Sequence, residues 1–146
     1  MATAAAFGGG VFIADKSAWQ GAEHPTVAEE WRQAMVAGQI AISPTVKLEL
    51  LYSTQDSAAF DELETLLAAL RDVPITRSVT AAGVTAMREL AHRQPLYHRV
   101  KLPDILIAAA AQDVAIGVLH YDHHYDRLAE VLNFESRWIA PPGSLD

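Results

Sequence analysis

The stretch LPDILIAAAAQDVAIGVLHYD, residues 102–122, decides how the chain can fold. Its first part is a long apolar run that opens with a proline and an aspartate, residue types suited to the first turn of a helix. Its second part is a short apolar run typical of a buried strand that ends at Asp122. Asp104 puts a charge at the start of an otherwise apolar helix, and interaction with the free N–H groups of that helix start is its simplest explanation.

Strand-like and helix-like segments alternate on either side of this stretch. We predict strands over residues 11–15, 39–43, 73–76, 116–122 and 136–140, and helices over 24–38, 43–53, 56–70, 78–93, 102–114 and 123–134. Because parallel strands need crossover helices, this order predicts a three-layer α/β/α domain over residues 11–146, with a central, mostly parallel sheet of about four to five strands. Residues 1–10, MATAAAFGGG, carry no charged side chain. We expect them to be a flexible leader or an expression remnant outside the fold.

Composition limits the classes of function. The chain has 146 residues, a formal net charge of −7 and no cysteine, which excludes a disulfide scaffold and thiolate metal sites. The negative charge argues against a general attraction to nucleic acid and permits a cation site or a basic protein partner. No apolar span is long enough to cross a bilayer and no secretory signal is present, so we expect a cytoplasmic protein without a membrane partner.

Four carboxylates are predicted to meet at one edge of the sheet. Asp15 and Asp122 each end a strand, Asp104 starts the helix that leads to the Asp122 strand, and Glu49 lies in a mostly apolar helix. Ligands of such sheets bind at the carboxyl ends of the strands. Clustered carboxylates repel one another unless a cation or a proton neutralises them. Oxygen ligands suit Mg²⁺ or Mn²⁺, and phosphodiester hydrolysis is the reaction that fits such a site.

The segments around these carboxylates resemble the PIN-domain ribonucleases, and within them the VapC toxins of VapBC toxin–antitoxin modules. The resemblance runs from about Val11 to Trp138 and rests on four segments in order: IADKSAW, SPTVKLELLYS, LPDILIAAAA and VLHYDHHYDRLAEV. It implies a metal-dependent endoribonuclease that uses Mg²⁺ or Mn²⁺. The implied catalytic and metal-binding residues are Asp15, Glu49, Asp104 and Asp122, with Asp126 as a further metal ligand and Ser17 supporting the first aspartate. Lys16 departs from the threonine or serine of many members, at a position that borders the metals.

The resemblance also implies a substrate and partners. A toxin of this kind is expected to cleave a structured RNA, most plausibly a tRNA, and so inhibit translation and growth. A VapB-like antitoxin is expected to place a basic residue in the acidic pocket and to dock on the helices containing TVAEEWRQAMV and FDELETLLAAL. A homodimer is expected by the same resemblance. Residues 90–103, LAHRQPLYHRVKLP, are locally basic, and we predict that RNA is contacted there by Arg93, Tyr97, Arg99 and Lys101.

Three alternatives remain. His120, His123 and His124 could form a zinc site, although neighbours on a helix point to different sides, which favours surface or rim histidines. A domain with this fold could serve as a catalytically silent binding module, for which the loss of a central carboxylate would be the sign; none is lost here. A related metal-dependent nuclease acting on DNA or on a structured flap is the alternative enzyme.

Overall fold

The strands of the sheet are short, and the central ones are wholly buried. The computed structural model describes residues 4–146, in which five strands pair in the order β3-β2-β1-β4-β5. They are β1 (Phe12–Ala14), β2 (Ile40–Ile42), β3 (Arg71–Asp72), β4 (Gly117–His120) and β5 (Ser136–Trp138). All four pairs are parallel, and β1, β2 and β4 are buried at every position, as expected for a sheet covered on both faces. The predicted sheet is confirmed.

The strands are connected mainly by helices. Within residues 4–146 they are α1 (Lys16–Gly21), α2 (Pro25–Val36), α3 (Pro44–Tyr52), α4 (Ser57–Ala68), α5 (Arg77–Arg93), α6 (Leu102–Asp113) and α7 (His124–Leu128). Side-chain caps begin several of them: Ser43 caps α3, Asp56 caps α4 and Thr76 caps α5. Among these helices none is long and apolar enough to cross a membrane.

Two predicted elements differ in the structure, and one observed helix was not predicted. The helix predicted over residues 123–134 ends at Leu128 and is followed by turns. The strand predicted over residues 73–76 forms at β3, two residues earlier. The helix α1 was not predicted, because six residues are too few to show an amphipathic period.

The sheet separates two apolar layers, which confirms the three-layer arrangement. Ile13 of β1 faces the layer formed with α3, α5 and α6, whereas Phe12 and Ala14 face the layer formed with α1 and α2. The four alanines of α6, residues 108–111, are completely buried in the first layer. Their small side chains let α6 lie close to both α5 and the sheet, which fixes the position of the helix start.

Residues 6–10 pack on the domain, so the expectation of a flexible leader over residues 1–10 is wrong for this part. A short 3₁₀ turn, Ala6–Gly9, buries the side chain of Phe7. The amide of Gln39 donates hydrogen bonds to the carbonyls of Ala6 at 2.8 Å and Gly10 at 2.9 Å. Gly8 and Gly9 adopt positive φ in this turn, so here the glycines support a defined backbone conformation. Residues 1–3 of the expected leader lie outside the described residues.

Candidate active site

A pocket of about 150 Å³ lies at the carboxyl ends of β1 and β4. Asp15 directly follows β1, Asp122 lies two residues after β4, Asp104 is in the first turn of α6, and Glu49 comes from α3. The structure therefore brings the four predicted carboxylates together at the sheet edge where ligands of parallel sheets bind. The complete lining is Asp15, Lys16, Ser17, Gln20, Glu49, Lys101, Pro103, Asp104 and Asp122.

Ser17 holds Asp15 in place. The Ser17 hydroxyl donates a hydrogen bond of 2.7 Å to Asp15 Oδ2, and the Ser17 N–H lies 3.3 Å from the same oxygen. The hydroxyl oxygen also accepts the N–H of Tyr121 at 2.9 Å. Asp15 is thus both the N-cap of α1 and a buried carboxylate connected through Ser17 to the end of β4. These contacts agree with the supporting role that the resemblance implied for Ser17.

Asp104 is the most deeply buried of the four carboxylates, with 4% of its surface exposed. The Tyr125 hydroxyl donates to Asp104 Oδ1 at 3.2 Å, and His124 Nδ1 lies 3.2 Å from Asp104 Oδ2. Burial and the charges of Asp15 and Asp122 raise the pKa of Asp104 from 3.8 to about 7. The ionised form of Asp104 at the start of α6 is therefore destabilised, both by burial and by the neighbouring negative charges.

Glu49 contributes a buried oxygen without a partner. Its Oε1 accepts no hydrogen bond within the described part of the chain. Burial, followed by the charge of Asp15, raises the pKa of Glu49, although Lys16 and Lys101 act in the opposite direction. An unpaired carboxylate oxygen beside Asp15 and Asp104 is what a divalent cation would satisfy. The donor set of this pocket therefore fits such a cation.

The negative charge of Asp122 is balanced by other groups of the protein. Its Oδ1 accepts the backbone N–H of His124 at 3.0 Å, and its Oδ2 accepts from the Lys101 ammonium at 3.0 Å. Burial would raise the pKa of Asp122, but these hydrogen bonds and the nearby positive charges outweigh it and hold that pKa below its usual value. Asp122 is thus ionised and preoriented at the pocket rim.

Comparison with known proteins agrees with this geometry. Residues 11–131 match the PIN-domain family. Over 136 residues the chain is 41% identical to Ribonuclease VapC18 of Mycobacterium tuberculosis, which covers 92% of this chain and 99% of the relative. Over 135 residues it is 30% identical to Ribonuclease VapC51 of the same organism, with 92% and 97% covered. The chain is a VapC-type PIN domain.

Solved structures show the same fold for this VapC-type PIN domain. DNA-bound VapBC from Salmonella typhimurium has a TM-score of 0.68 at 17% identity, covering 89% of this chain and 98% of that chain. VapBC-5 from Mycobacterium tuberculosis has a TM-score of 0.60, also at 17% identity, covering 86% and 96%. At this identity the likeness shows the fold alone.

Asp126, predicted as a further metal ligand, is not brought into the pocket of this VapC-type PIN domain. Its two oxygens accept hydrogen bonds from Ser136 Oγ at 2.8 Å and Trp138 Nε1 at 3.0 Å. Ser136 Oγ also lies 2.7 Å from Nε2 of His120, whose Nδ1 accepts the N–H of Asp122 at 3.1 Å. Asp126 therefore anchors a chain of hydrogen bonds that holds the backbone of Asp122.

The basic segment is only partly available for contacts with a ligand. Arg93 forms an ion pair of 2.9 Å with Glu130, and the Tyr97 hydroxyl donates to the same carboxylate at 3.0 Å. Arg99 is exposed, and of the four residues predicted to bind RNA only Lys101 reaches the acidic pocket. The pairing with Glu130 could not be predicted, because 37 residues separate it from Arg93.

Tyr125 is a site residue that the sequence analysis did not name, and His124 was considered there only for zinc. Besides its contact with Asp104, His124 Nδ1 lies 3.9 Å from Asp122 Oδ1. The three histidines of the zinc alternative do not converge: His120 contacts Ser136, and the ring of His123 packs on Trp138 with centroids 4.9 Å apart. Burial lowers the pKa of His120 to about 4, which keeps it neutral. The sequence feature that could have placed His124 in the site is its position two residues after Asp122, which ends a predicted strand.

Proposed function

We propose that this VapC-type PIN domain is a metal-dependent endoribonuclease that acts as the toxin of a toxin–antitoxin module. The proposal rests chiefly on one observation, the meeting of four carboxylates in a pocket where Asp104 has a pKa of about 7 and an oxygen of Glu49 has no partner. Mg²⁺ or Mn²⁺ is the cation that oxygen donors of this kind favour. The relatives named Ribonuclease VapC18 and VapC51 support RNA as the substrate.

The four pocket carboxylates each have a role in this proposal. Asp15, Asp104 and Asp122 would hold the metal, and Glu49 would stand beside them as a further oxygen donor. A divalent ion in such a site supplies an activated water and neutralises charge that develops on a phosphate oxygen. Ser17 and Tyr125 position Asp15 and Asp104 through the hydrogen bonds of 2.7 and 3.2 Å. Asp126 is assigned the anchoring of Asp122 and not the binding of metal.

The proposed substrate is a structured RNA, and a tRNA is the first candidate. An acidic protein binds a polyanion through a local basic patch, in which Arg99 is exposed and Lys101, now paired with Asp122, would turn to a phosphate when RNA binds. The exposed Lys101 ammonium leads from this segment to Asp122. A phosphate held there would lie close to the carboxylates that bind the metal.

The proposed partner is a VapB-like antitoxin, as in the VapBC complexes that share the fold. A basic side chain of the antitoxin would enter the carboxylate pocket, where a bidentate arginine pairs well. Its apolar side chains would dock on α2 and α4, where Val36 is 80% exposed and Leu66 44%. A homodimer of the toxin remains part of the proposal, supported by family resemblance.

Mapping of new RNA ends after brief induction in cells tests the nuclease. The parent should produce one or a few dominant cleavage sites, and Asp104→Asn at equal protein level should produce none, since it removes a buried metal donor. Asp61→Asn, which changes an exposed carboxylate of α4, is the matched control and should cleave like the parent. Identical end maps for parent and Asp104→Asn would overturn the proposal and favour a silent binding module. New ends in DNA alone would favour the other enzyme alternative.

A further inference from the structure

His124 places an imidazole nitrogen beside two of the pocket carboxylates. Its Nδ1 lies 3.2 Å from Asp104 Oδ2 and 3.9 Å from Asp122 Oδ1. One donor atom from each of these three residues can be chosen so that all lie within 4.8 Å of one another. Two carboxylate oxygens and one imidazole nitrogen at this spacing can share a single cation.

The fold fixes the direction of this imidazole. The backbone N–H of His124 donates to Asp122 Oδ1 at 3.0 Å, which sets the start of α7 against the end of β4. The side chain is 28% exposed, so the ring cannot turn freely into solvent. The Lys101 N–H also lies near Nδ1, at a long 3.5 Å. Nδ1 therefore faces the two aspartates: with a proton it donates to Asp104 Oδ2, and a metal ion bound between the three side chains would take the place of that proton.

We propose that His124 is a nitrogen ligand of the pocket metal and makes this site prefer Mn²⁺ over Mg²⁺. The inference rests on the proposed metal-dependent function and adds a donor that four carboxylates do not supply. Mg²⁺ is a hard ion that prefers oxygen, whereas imidazole nitrogen suits first-row transition metals. A nitrogen donor added to the oxygen donors of the pocket therefore shifts selectivity toward the transition metal.

Pulsed electron paramagnetic resonance of the Mn²⁺ complex tests the ligand directly. The parent should show hyperfine coupling to an imidazole ¹⁴N, and so should His123→Asn, which changes the exposed neighbouring histidine. His124→Asn and His124→Asp should both lose the coupling. His124→Asp restores an oxygen donor, so the ratio of Mn²⁺ to Mg²⁺ affinity measured by calorimetry should fall by about tenfold or more relative to the parent.

The outcomes separate this inference from the function on which it rests. Mn²⁺ binding by the parent without nitrogen coupling would overturn the role of His124 and leave the metal-dependent nuclease standing. An unchanged Mn²⁺ to Mg²⁺ ratio in a folded His124→Asp protein would also overturn it, since a residue that only positions Asp104 would weaken both ions equally. Failure of the parent to bind either metal would overturn both proposals.

Discussion

Asp104 experiences burial and neighbouring charge, and both oppose its ionised form. In the folded protein its pKa is about 7, compared with an ordinary value of 3.8. Between these two pH values the folded state holds a proton that the unfolded state has released. The residue that the proposed function needs as a metal ligand is therefore a source of instability when no metal is present.

Stability without metal should consequently fall as the pH rises from about 4 to about 7, because the folded protein binds more protons than the unfolded chain in that window. Asp104→Asn should remove most of this fall. In chelator above pH 7 it should exceed the parent by roughly 1 kcal/mol or more in free energy of unfolding. Asp15→Asn should act in the same direction, since it removes one of the charges facing Asp104.

Urea denaturation in chelator at a series of pH values measures this effect. Asp61→Asn is the control and should follow the parent, because its carboxylate is exposed on α4 and lies outside the pocket. A parent with constant stability between pH 5 and pH 7 would contradict the prediction.

The carboxylates could be predicted from the sequence, but several of their contacts could not. Strand ends and helix starts fix where a backbone lies, so Asp15, Asp104 and Asp122 follow from the pattern of elements. The direction of a side chain depends on residues distant in sequence. Asp126 turns to Ser136 and Trp138, for example, and no local pattern distinguishes that orientation from one toward the metal.

Elements with caps or apolar runs were predictable, whereas the position of β3 and the presence of α1 were not. The helix α6 has a proline start and an unbroken apolar interior, and its predicted end lies one residue beyond the observed one. In contrast, β3 has two residues and α1 has six, too few for hydrophobic periodicity to locate them. The turn Ala6–Gly9 shows a related difficulty, because a run of glycines is equally typical of loose chain and of a tight turn.

Two helices, α2 and α6, end in the same way but use different residues. After each helix one residue adopts a positive φ, 72° at Gly38 and 57° at Ala115. In both, that residue and the next one donate N–H groups to carbonyls of the last helical turn at 3.0 to 3.2 Å. This is the Schellman arrangement, in which glycine is favoured because it lacks the Cβ that crowds the left-handed region.

Replacing the alanine by glycine and the glycine by alanine should therefore have opposite effects on the free energy of unfolding. Ala115→Gly should raise the free energy of unfolding by about 0.5–1 kcal/mol, and Gly38→Ala should lower it by a similar amount. A Cβ at Gly38 would meet no atom within 4 Å, so backbone strain alone is measured there. Guanidinium denaturation of both variants checks the pair. A loss of stability in Ala115→Gly would show that flexibility between α6 and β4 costs more than the strain.

At the scale of the whole molecule, a net charge of −7 makes any contact with RNA depend on a few basic groups. Arg99 is exposed, whereas Arg93 is paired with Glu130 and Lys101 with Asp122. Each basic side chain that contacts a phosphate displaces a counterion from the RNA, and this displacement makes binding depend on salt. The three basic residues should therefore contribute unequally to the salt dependence of RNA binding.

Arg99→Gln should weaken binding of a structured RNA at low salt and reduce the slope of log affinity against log salt by about 1, whereas Lys101→Gln should reduce it less, because Lys101 is already paired with Asp122. Arg93→Gln should change that slope much less and serves as the matched control. Fluorescence anisotropy across a salt series gives the slopes. If Arg93→Gln has the largest effect, the ion pair with Glu130 opens when RNA binds.

The order of the strands also has a consequence for how the protein is made. The central strand β1 is near the start of the chain, yet its register on one side is set by β4, with Phe12 opposite Gly117. Asp15 and Asp122 can face each other only after that pairing forms. A ribosome that has completed everything up to α5 has therefore supplied Asp15 and Glu49 but neither Asp104 nor Asp122 of the carboxylate pocket. The nascent chain stays harmless to the RNA around it until synthesis is nearly finished.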